Sequence, residues 1–320
     1  MLTCKETARL IEGWDDILVI CHENPDGDAL GSMFGLVRGL RALGKRAGWY
    51  CASPVQPKFS YMCEGMENTV AEPAHILTVD VADSRLLGDA WDRFAGRIEL
   101  SIDHHGTHVP FAGERWVEPE SAAAAELVWL LLKELGADPD SITAGCLYTG
   151  MATDTGCFRY RNVTPRTLRA AAGALEAGAD AGGINQRIFE TRTRASMEAE
   201  KLITDSLEFA CGGRIALIQI PLSVYADTGA DESEVDGVES LPRQVEGVLI
   251  GVTVKEKPGG KIKISLRTNP PANAADICVP LGGGGHPGAA GCSFEGAAMA
   301  EARERILAAC ERYLKETGSI

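Results

Sequence analysis

The chain has 320 residues, which is too long for one ordinary core and predicts two domains. Its hydrophobic content of 45% is normal for a globular protein, and no apolar run is long enough to cross a bilayer, so a membrane partner is not expected. A formal net charge of −14 argues against binding of long nucleic acid but allows a short phosphorylated substrate. The first residues do not predict a secretory signal, and the ten cysteines are interpreted as reduced, which favours the cytoplasm.

Alternating strand and helix patterns fill the first half of the chain. Strands are predicted at residues 18–21, 47–51, 76–80 and 97–102, and helices at residues 29–43, 122–135, 141–151, 165–177 and 183–190. This alternation is typical of a doubly wound α/β domain with a mostly parallel sheet. The helix at residues 122–135 carries Trp129 and a row of leucines, and we interpret it as core, with the surface of a homodimer as the alternative.

The second half of the chain predicts a smaller α/β domain. A polar, strongly helical stretch at residues 191–210 ends at two glycines and is interpreted as a connector, with the last helix of the first domain as the alternative. Three further elements follow: a strand at residues 214–220, a hairpin of residues 251–257 and 261–267, and a final helix at residues 297–316. The expected division is a first domain at residues 1–190, a connector at 191–212 and a second domain at 213–320.

Acidic and imidazole side chains stand next to the ends of several predicted elements. The residues in such positions are His22, Asp26, Asp28, Asp80, Asp103, His104, His105 and Asp154. Open α/β sheets bind ligands beyond the carboxyl ends of their strands. A single aspartate there is usually a helix cap, as Asp26 or Asp28 could be, but four such sites with two adjacent histidines favour a metal centre. His75 and His108 have no such context and are interpreted as structural or surface residues.

The order of these motifs resembles that of the DHH phosphoesterase superfamily. The matching segments are His22-Glu-Asn-Pro-Asp-Gly-Asp28, Asp80 with Asp83 and Arg85, Asp103-His104-His105, and Thr153-Asp154-Thr-Gly156. Oxygen ligands with a few imidazoles suit Mn²⁺ or Mg²⁺ better than structural zinc. The resemblance implies two Mn²⁺ ions per chain, with Mg²⁺ as the alternative.

The resemblance also implies a role for each residue of the centre. It assigns the first ion to His22 and Asp26, the second ion to Asp28, His104 and Asp154, and a bridging position to Asp80. Asp103 would orient its neighbours. His105 would contact the scissile phosphate or protonate the leaving oxygen.

A glycine-rich segment at residues 281–291 follows the predicted hairpin. Successive glycines allow positive φ and let backbone N–H groups approach an anion, although a flexible linker is the alternative. Together with Ser265-Leu-Arg267, the segment resembles the DHHA1 accessory domain of the same superfamily. That resemblance implies a phosphate-binding set that consists of Arg267, Gly283, Gly284, Gly285 and His286. The alternating Lys261 and Lys263 are interpreted as a solvated strand face.

The expected function is that of a metal-dependent hydrolase that cleaves phosphoesters with an activated water. The match is strongest with the bifunctional branch of the superfamily, which degrades very short RNA and dephosphorylates 3′-phosphoadenosine 5′-phosphate (pAp). Short oligoribonucleotides or such a mononucleotide bisphosphate are therefore the expected partners. Two alternatives stay open: a phosphodiesterase that acts on cyclic or linear dinucleotides, and a non-catalytic nucleotide sensor. Closure of the two domains on the substrate is a further hypothesis.

Overall fold

The structure is a computed structural model that describes residues 1–67, 70, 72–235 and 237–319. The chain divides into two compact units, Met1–Thr191 and Arg192–Ile320. Each unit has its own sheet and two buried apolar clusters among its described residues. Within the described ranges, no helix combines the length and the apolar composition that a membrane span requires.

The first unit contains a five-stranded sheet and seven α-helices within its described residues. Its strands are β1 (Ile17–Ile20), β2 (Ala47–Tyr50), β3 (His75–Val79), β4 (Leu100–Asp103) and β5 (Glu114–Val117). Its helices are α1 (Cys4–Glu12), α2 (Gly27–Ala42), α3 (Asp89–Phe94), α4 (Ala124–Glu134), α5 (Ser141–Asp154), α6 (Pro165–Glu176) and α7 (Ala181–Asn185). Short 3₁₀ turns cover Pro57–Met62 and Ser84–Leu87, and a π-helical turn covers Gln186–Glu190.

All strands of the first sheet are parallel and lie in the order β2-β1-β3-β4-β5. In β1, Ile17 and Val19 pack into the same apolar cluster as α2, while Leu18 and Ile20 pack into the cluster that contains α3. An unbroken apolar run is what a parallel strand covered on both faces requires. The predicted doubly wound α/β fold is therefore confirmed, and the carboxyl ends of β1, β3 and β4 lie at one edge of the sheet.

Helices α2 and α5 pack against each other through glycines. A Cβ atom on Gly31 would lie 2.4 Å from the carbonyl oxygen of Cys146, and one on Gly150 would lie 2.7 Å from Oδ1 of Asp28. No side chain fits into either gap, so the two backbones approach closely. Because Asp28 lies in the first turn of α2 and Asp154 ends α5, this contact joins the helices that carry two of the predicted ligands.

Gly31→Ala is expected to destabilise the protein by about 1–3 kcal/mol, because the added methyl group pushes α2 away from the backbone of α5. Urea unfolding of the metal-free protein measures this change. Gly13→Ala is the matched control, since Gly13 ends α1 at φ −79° and an added Cβ would have its nearest neighbour at 3.9 Å. Equal free energies of unfolding for the two variants would contradict the tight glycine contact.

The second unit contains a six-stranded mixed sheet and four α-helices within its described residues. Its strands are β6 (Glu208–Ala210), β7 (Ile215–Ile220), β8 (Ile250–Lys257), β9 (Lys261–Thr268), β10 (Gly284–His286) and β11 (Ala289–Glu295). Its helices are α8 (Arg194–Asp205), α9 (Leu222–Thr228), α10 (Ala274–Cys278) and α11 (Met299–Glu316). The strand order is β10-β11-β9-β8-β7-β6, in which only β7 and β8 pair in parallel among the described strands. The predicted second α/β fold is confirmed.

Most predicted elements of the first half match observed ones, with shifts at their ends. The stretch predicted as a helix at residues 183–190 is helical, and it consists of the end of the short α7 followed by the π-helical turn. Trp129 and most of α4 are buried in the first core, which confirms the core interpretation of that helix.

Residues 192–212 of the expected connector belong to the second compact unit, whereas Thr191 belongs to the first. Helix α8 buries Ala199 and Ile203 in one cluster with Ile218 and Ile220 of β7. This apolar stripe of α8 is narrow and lies in a polar sequence, so the sequence pattern did not indicate that α8 packs against β7. The expected limits of the domains stay a prediction.

Candidate metal centre

His22 and Asp26 lie in the loop between β1 and α2. Asp26 caps α2, because its Oδ1 atom accepts hydrogen bonds from the backbone N–H groups of Asp28 (2.9 Å) and Ala29 (3.0 Å). Nδ1 of His22 donates to the carbonyl oxygen of Glu23 at 2.8 Å, and Nε2 faces Asp26 at 4.0 Å. Capping therefore holds the Asp26 carboxylate in place and still leaves lone pairs for a cation.

Asp80 stands directly after β3 and has a left-handed backbone with φ +58°. This conformation is uncommon for a residue with a side chain and is concentrated at functional sites. The side chain is 3% exposed, with Oδ2 at 3.8 Å from Nε2 of His22 and Oδ1 at 3.5 Å from Nε2 of His104. Oδ1 accepts no hydrogen bond from any described residue. A buried carboxylate oxygen without a donor is unfavourable, so these residues fit a cation placed between them.

The other candidate ligands meet at the start of α4. Asp28 is fully buried, and its oxygens accept hydrogen bonds from the backbone N–H groups of Ala124 (2.6 Å) and Ala125 (2.9 Å). Nε2 of His104 lies 3.8 Å from Oδ2 of Asp28 and 3.4 Å from Oδ2 of Asp154. The start of α2, the residue after β4 and the end of α5 therefore converge on one place.

Three sets of side chains are close enough to share a cation. They are His22, Asp26 and Asp80; Asp28, His104 and Asp154; and Asp80, His104 and His105. Burial and the Asp80 charge raise the pKa of Asp28, and they raise the pKa of Asp154 to about 7. Burial alone would lower the pKa of His104, but the surrounding carboxylates raise it to about 10. Crowded carboxylates of this kind are stabilised by a divalent cation, and the oxygen and imidazole donors fit Mn²⁺ or Mg²⁺.

Asp103 ends β4 and is fully buried. Its Oδ1 atom accepts hydrogen bonds from Nδ1 of His105 (2.7 Å) and the backbone N–H of His104 (2.8 Å), and its Oδ2 atom accepts one from Nδ1 of His108 (2.7 Å). Among the described residues, Asp103 is in none of the three cation sets. Its hydrogen bond orients the His105 ring and raises the pKa of that imidazole. The buried His108 side chain therefore helps to fix the Asp103 carboxylate. No sequence motif indicated this contact.

His105 faces an open cavity of about 360 Å³, and its side chain is 42% exposed. The other lining residues are His22, Glu23, Asn24, Asp26, Asp80, Leu86 and Asp154. The sequence did not single out Asn24 and Leu86, because neither belongs to a ligand pattern. Asp83 and Arg85 of the second motif bind each other at 2.8 Å, and neither joins a cation set among the described residues.

The predicted phosphate-binding side chains share one face of the second sheet. The register pairs Arg267 of β9 with Ala289 of β11, and Ala289 with His286 of β10. Paired residues project to the same side of a sheet, so the side chains of Arg267 and His286 share one face. The two residues lie two strands apart, which separates their Cα atoms by roughly 10 Å. The guanidinium of Arg267 lies 3.5 Å from Glu239, and His286 is exposed.

The glycine-rich segment forms β10 and the approach to it. Gly284 and Gly285 belong to the strand, and the φ of +142° at Gly285 favours glycine. A Cβ atom on Gly283 would lie 2.1 Å from the carbonyl oxygen of Gly291. The flexible-linker alternative is therefore wrong, because the segment is an ordered, closely packed edge.

Three lysines line a cavity of about 630 Å³ together with this segment. They are Lys257, Lys261 and Lys263, and Gly282, Gly283 and Gly291 complete the glycine side. The sequence interpretation of a solvated strand face agrees with the exposure of Lys261 and Lys263 but missed this cavity. The cavity depends on the register between β9 and β11, which no local pattern encodes.

Comparisons with known proteins match both units. The model of the DHH family, N-terminal domain, matches residues 16–151, and that of the DHHA1 domain matches residues 216–316. The chain is 34% identical to the bifunctional oligoribonuclease and PAP phosphatase NrnA of Thermus thermophilus, over 98% of this chain and 94% of the relative. It is 26% identical to the protein of the same name from Bacillus subtilis, over 97% of this chain and 98% of the relative.

A solved structure shows the same fold along nearly the whole chain. An exopolyphosphatase-related protein from Bacteroides fragilis matches with a TM-score of 0.87 at 22% identity. The match covers 98% of this chain and 95% of that protein. The chain therefore belongs to the DHH family of phosphoesterases, with a DHH domain followed by a DHHA1 domain.

Proposed function

We propose that the protein is a two-metal phosphoesterase that hydrolyses very short RNA and dephosphorylates pAp, with Mn²⁺ as its ion. Asp80 is the observation that carries the proposal. Its two oxygens face different imidazoles, at 3.8 Å from His22 and 3.5 Å from His104, as a carboxylate that bridges two cations must do. The names of the Thermus thermophilus and Bacillus subtilis relatives support the substrate class.

Each candidate ligand has one place in this proposal. The first ion would be held by His22, Asp26 and Asp80, and the second by Asp28, His104, Asp154 and Asp80. When bound, the ions supply an activated water and neutralise the charge that develops on the phosphoryl group. Asp103 keeps the His105 ring in position through Nδ1. Nε2 of His105 would then contact the scissile phosphate or give a proton to the leaving oxygen.

The second unit supplies the groups that hold the substrate. Arg267 offers a planar guanidinium that binds two phosphate oxygens at once. His286 lies on the same face, and Gly283, Gly284 and Gly285 let backbone N–H groups reach the anion. A net charge of −14 with one local group of lysines supports a short substrate rather than a long one.

A panel of substrates tests the proposal. The protein is incubated with Mn²⁺ and, in parallel, with pAp, a dinucleotide, a long RNA and a cyclic dinucleotide, and the products are separated by chromatography. We expect turnover of pAp and of the dinucleotide. Equal efficiency on the long RNA would contradict the short-substrate proposal, turnover of the cyclic dinucleotide alone would favour a dinucleotide phosphodiesterase, and no turnover would favour a nucleotide sensor.

Arg267→Ala is expected to raise KM for pAp by roughly 10- to 100-fold, because about 1.5–3 kcal/mol of charged hydrogen bonding to the substrate is lost. The kcat value should change little, since the residue does not take part in the chemical step. Arg303→Ala is the matched control, because Arg303 also binds a carboxylate of the second unit, that of Glu208. Unchanged KM and kcat in Arg267→Ala would place the phosphate clamp elsewhere.

A further inference from the structure

Three of the four residues assigned to the second ion, Asp28, His104 and Asp154, are tied to one short segment, Ser121–Ala125, directly or through one other side chain. The carbonyl oxygen of Ser121 accepts a hydrogen bond from Nδ1 of His104 at 3.2 Å. The backbone N–H groups of Ala124 and Ala125 bind the Asp28 carboxylate at 2.6 and 2.9 Å. The segment therefore fixes two of the three residues directly, and the third needs another tie.

Asn162 provides that tie. Its amide nitrogen Nδ2 donates to the carbonyl oxygen of Ala122 at 3.1 Å and to the carbonyl oxygen of Asp154 at 3.1 Å. Both amide hydrogens are used, so one side chain joins the segment Ser121–Ala125 to the last residue of α5. His104 also reaches both places, through Nδ1 to Ser121 and Nε2 to the Asp154 carboxylate, but among the described side chains only Asn162 donates to the backbone carbonyl oxygen of Asp154.

The chain between Asp154 and Asn162 follows a costly path to make this contact. Gly156, Cys157 and Phe158 have φ values of +56°, +59° and +60°, a left-handed run in which only the first residue is glycine. Such backbone persists only where the surroundings hold it in place, and it is concentrated at functional sites. This turn brings the chain back so that Asn162 reaches the carbonyl oxygen of Asp154.

We infer that Asn162 is a positioning residue for the second metal ion, acting on Asp154 through the peptide backbone. It sets the distance between Asp154 and the segment that holds Asp28 and His104. The first ion uses His22, Asp26 and Asp80, none of which Asn162 contacts among the described hydrogen bonds. Loss of Asn162 therefore lowers the binding affinity for the second ion and leaves the affinity for the first ion unchanged. This inference rests on the two-metal centre of the proposed function.

Asn162→Ala removes both donors without adding charge, whereas aspartate would itself attract cations. The structure offers a matched control in Asn269, whose Nδ2 likewise bridges two carbonyl oxygens, those of Arg243 and Val248, both at 2.9 Å. Asn269 lies in the second unit, outside the ligand sets. Asn162→Leu is a second variant, because leucine has a branched side chain of similar length but carries no hydrogen-bond donor.

Calorimetric titration of the full-length, metal-free protein with MnCl₂ is the test. We expect the wild type to bind two ions. In Asn162→Ala and Asn162→Leu, the affinity for one ion should be unchanged and the affinity for the other should fall about 10-fold, which is the low end of the loss seen when a residue that supports a metal ligand is removed. The Mn²⁺ concentration for half-maximal activity should rise similarly, while kcat at saturating Mn²⁺ recovers. Asn269→Ala should keep both affinities.

Three other results would overturn the inference. Wild-type affinities for both ions in the Asn162 variants would show that the residue positions nothing, while the proposed function would stand. An equal loss of binding affinity for both ions would indicate that the substitution loosens the fold in general. Fewer than two ions in the wild type would remove the two-metal centre itself, and both the inference and the proposed function would fall.

Discussion

Asp80→Asn is expected to lower turnover of pAp at least about a thousandfold at every Mn²⁺ concentration, the equivalent of roughly 4 kcal/mol in the barrier. In the proposed two-metal centre both ions would lose a charged ligand, so adding metal should not restore activity. Asparagine matches aspartate in size and tolerates the φ of +58°, whereas alanine would add backbone strain to the lost charge. Asp80→Ala should be equally inactive. Steady-state kinetics across a Mn²⁺ series measures the effect.

The same substitution should change the stability of the metal-free protein little, because the repulsion that it relieves is offset by lost attraction to His104. Oδ1 of Asp80 is buried without a hydrogen-bond donor among the described residues, and its charge raises the pKa of Asp28 and Asp154. Removing that charge relieves repulsion among the carboxylates. Asp89→Asn is the control, since Asp89 is exposed and binds the Tyr50 hydroxyl. Activity of Asp80→Asn that recovers at high Mn²⁺ would refute a bridging role.

His105→Asn is expected to lower kcat by about 10²- to 10⁴-fold while the protein still binds two Mn²⁺ ions. The reason is that Nδ1 of His105 is committed to Asp103, and only Nε2 remains for the substrate. Single-turnover kinetics with pAp at saturating Mn²⁺ measures the chemical step. Metal titration of the same variant measures the affinity of the centre.

The metal titration separates two roles for His105. The side chain also lies in a cation set with Asp80 and His104, because its Nδ1 atom is 3.6 Å from Oδ1 of Asp80. A ligand role would appear as lost Mn²⁺ affinity, and the assignment as a proton donor would then be wrong. His75→Asn is the control, since His75 stacks on Trp14 and binds Glu99 at the opposite end of β3.

Apolar runs predicted the first sheet well, because a parallel strand covered on both faces needs an unbroken run such as Ile17–Ile20. The same criterion could not find β5, an edge strand with the sequence Glu-Arg-Trp-Val and only one buried side chain. Helix α1 did have a signal. Thr3 and Glu6 form a capping box, which the sequence contains as Thr-x-x-Glu.

The candidate ligands stood out in the sequence because each lies next to the end of a strand or of a helix. The residues that hold those ligands did not, because their contacts span the chain. Asp28 binds Ala124, which lies 96 residues away, and Asn162 binds Ala122, 40 residues away. His108 sits close to Asp103 in sequence, yet only the folded loop shows that it donates to the carboxylate. Local sequence patterns identify the candidate metal ligands, whereas tertiary packing decides which residues hold those ligands in position.

The candidate ligands come from separate elements between residues 22 and 154, so the full set assembles only when these elements have packed together. Occupancy is therefore a measure of how much of the population is folded. At a free ion concentration one hundred times the dissociation constant, each occupied site adds about 2.7 kcal/mol to the free energy of unfolding. Under the proposed function, a shortage of the bound cation would remove this stabilisation, so it would reduce the abundance of the folded protein as well as its turnover.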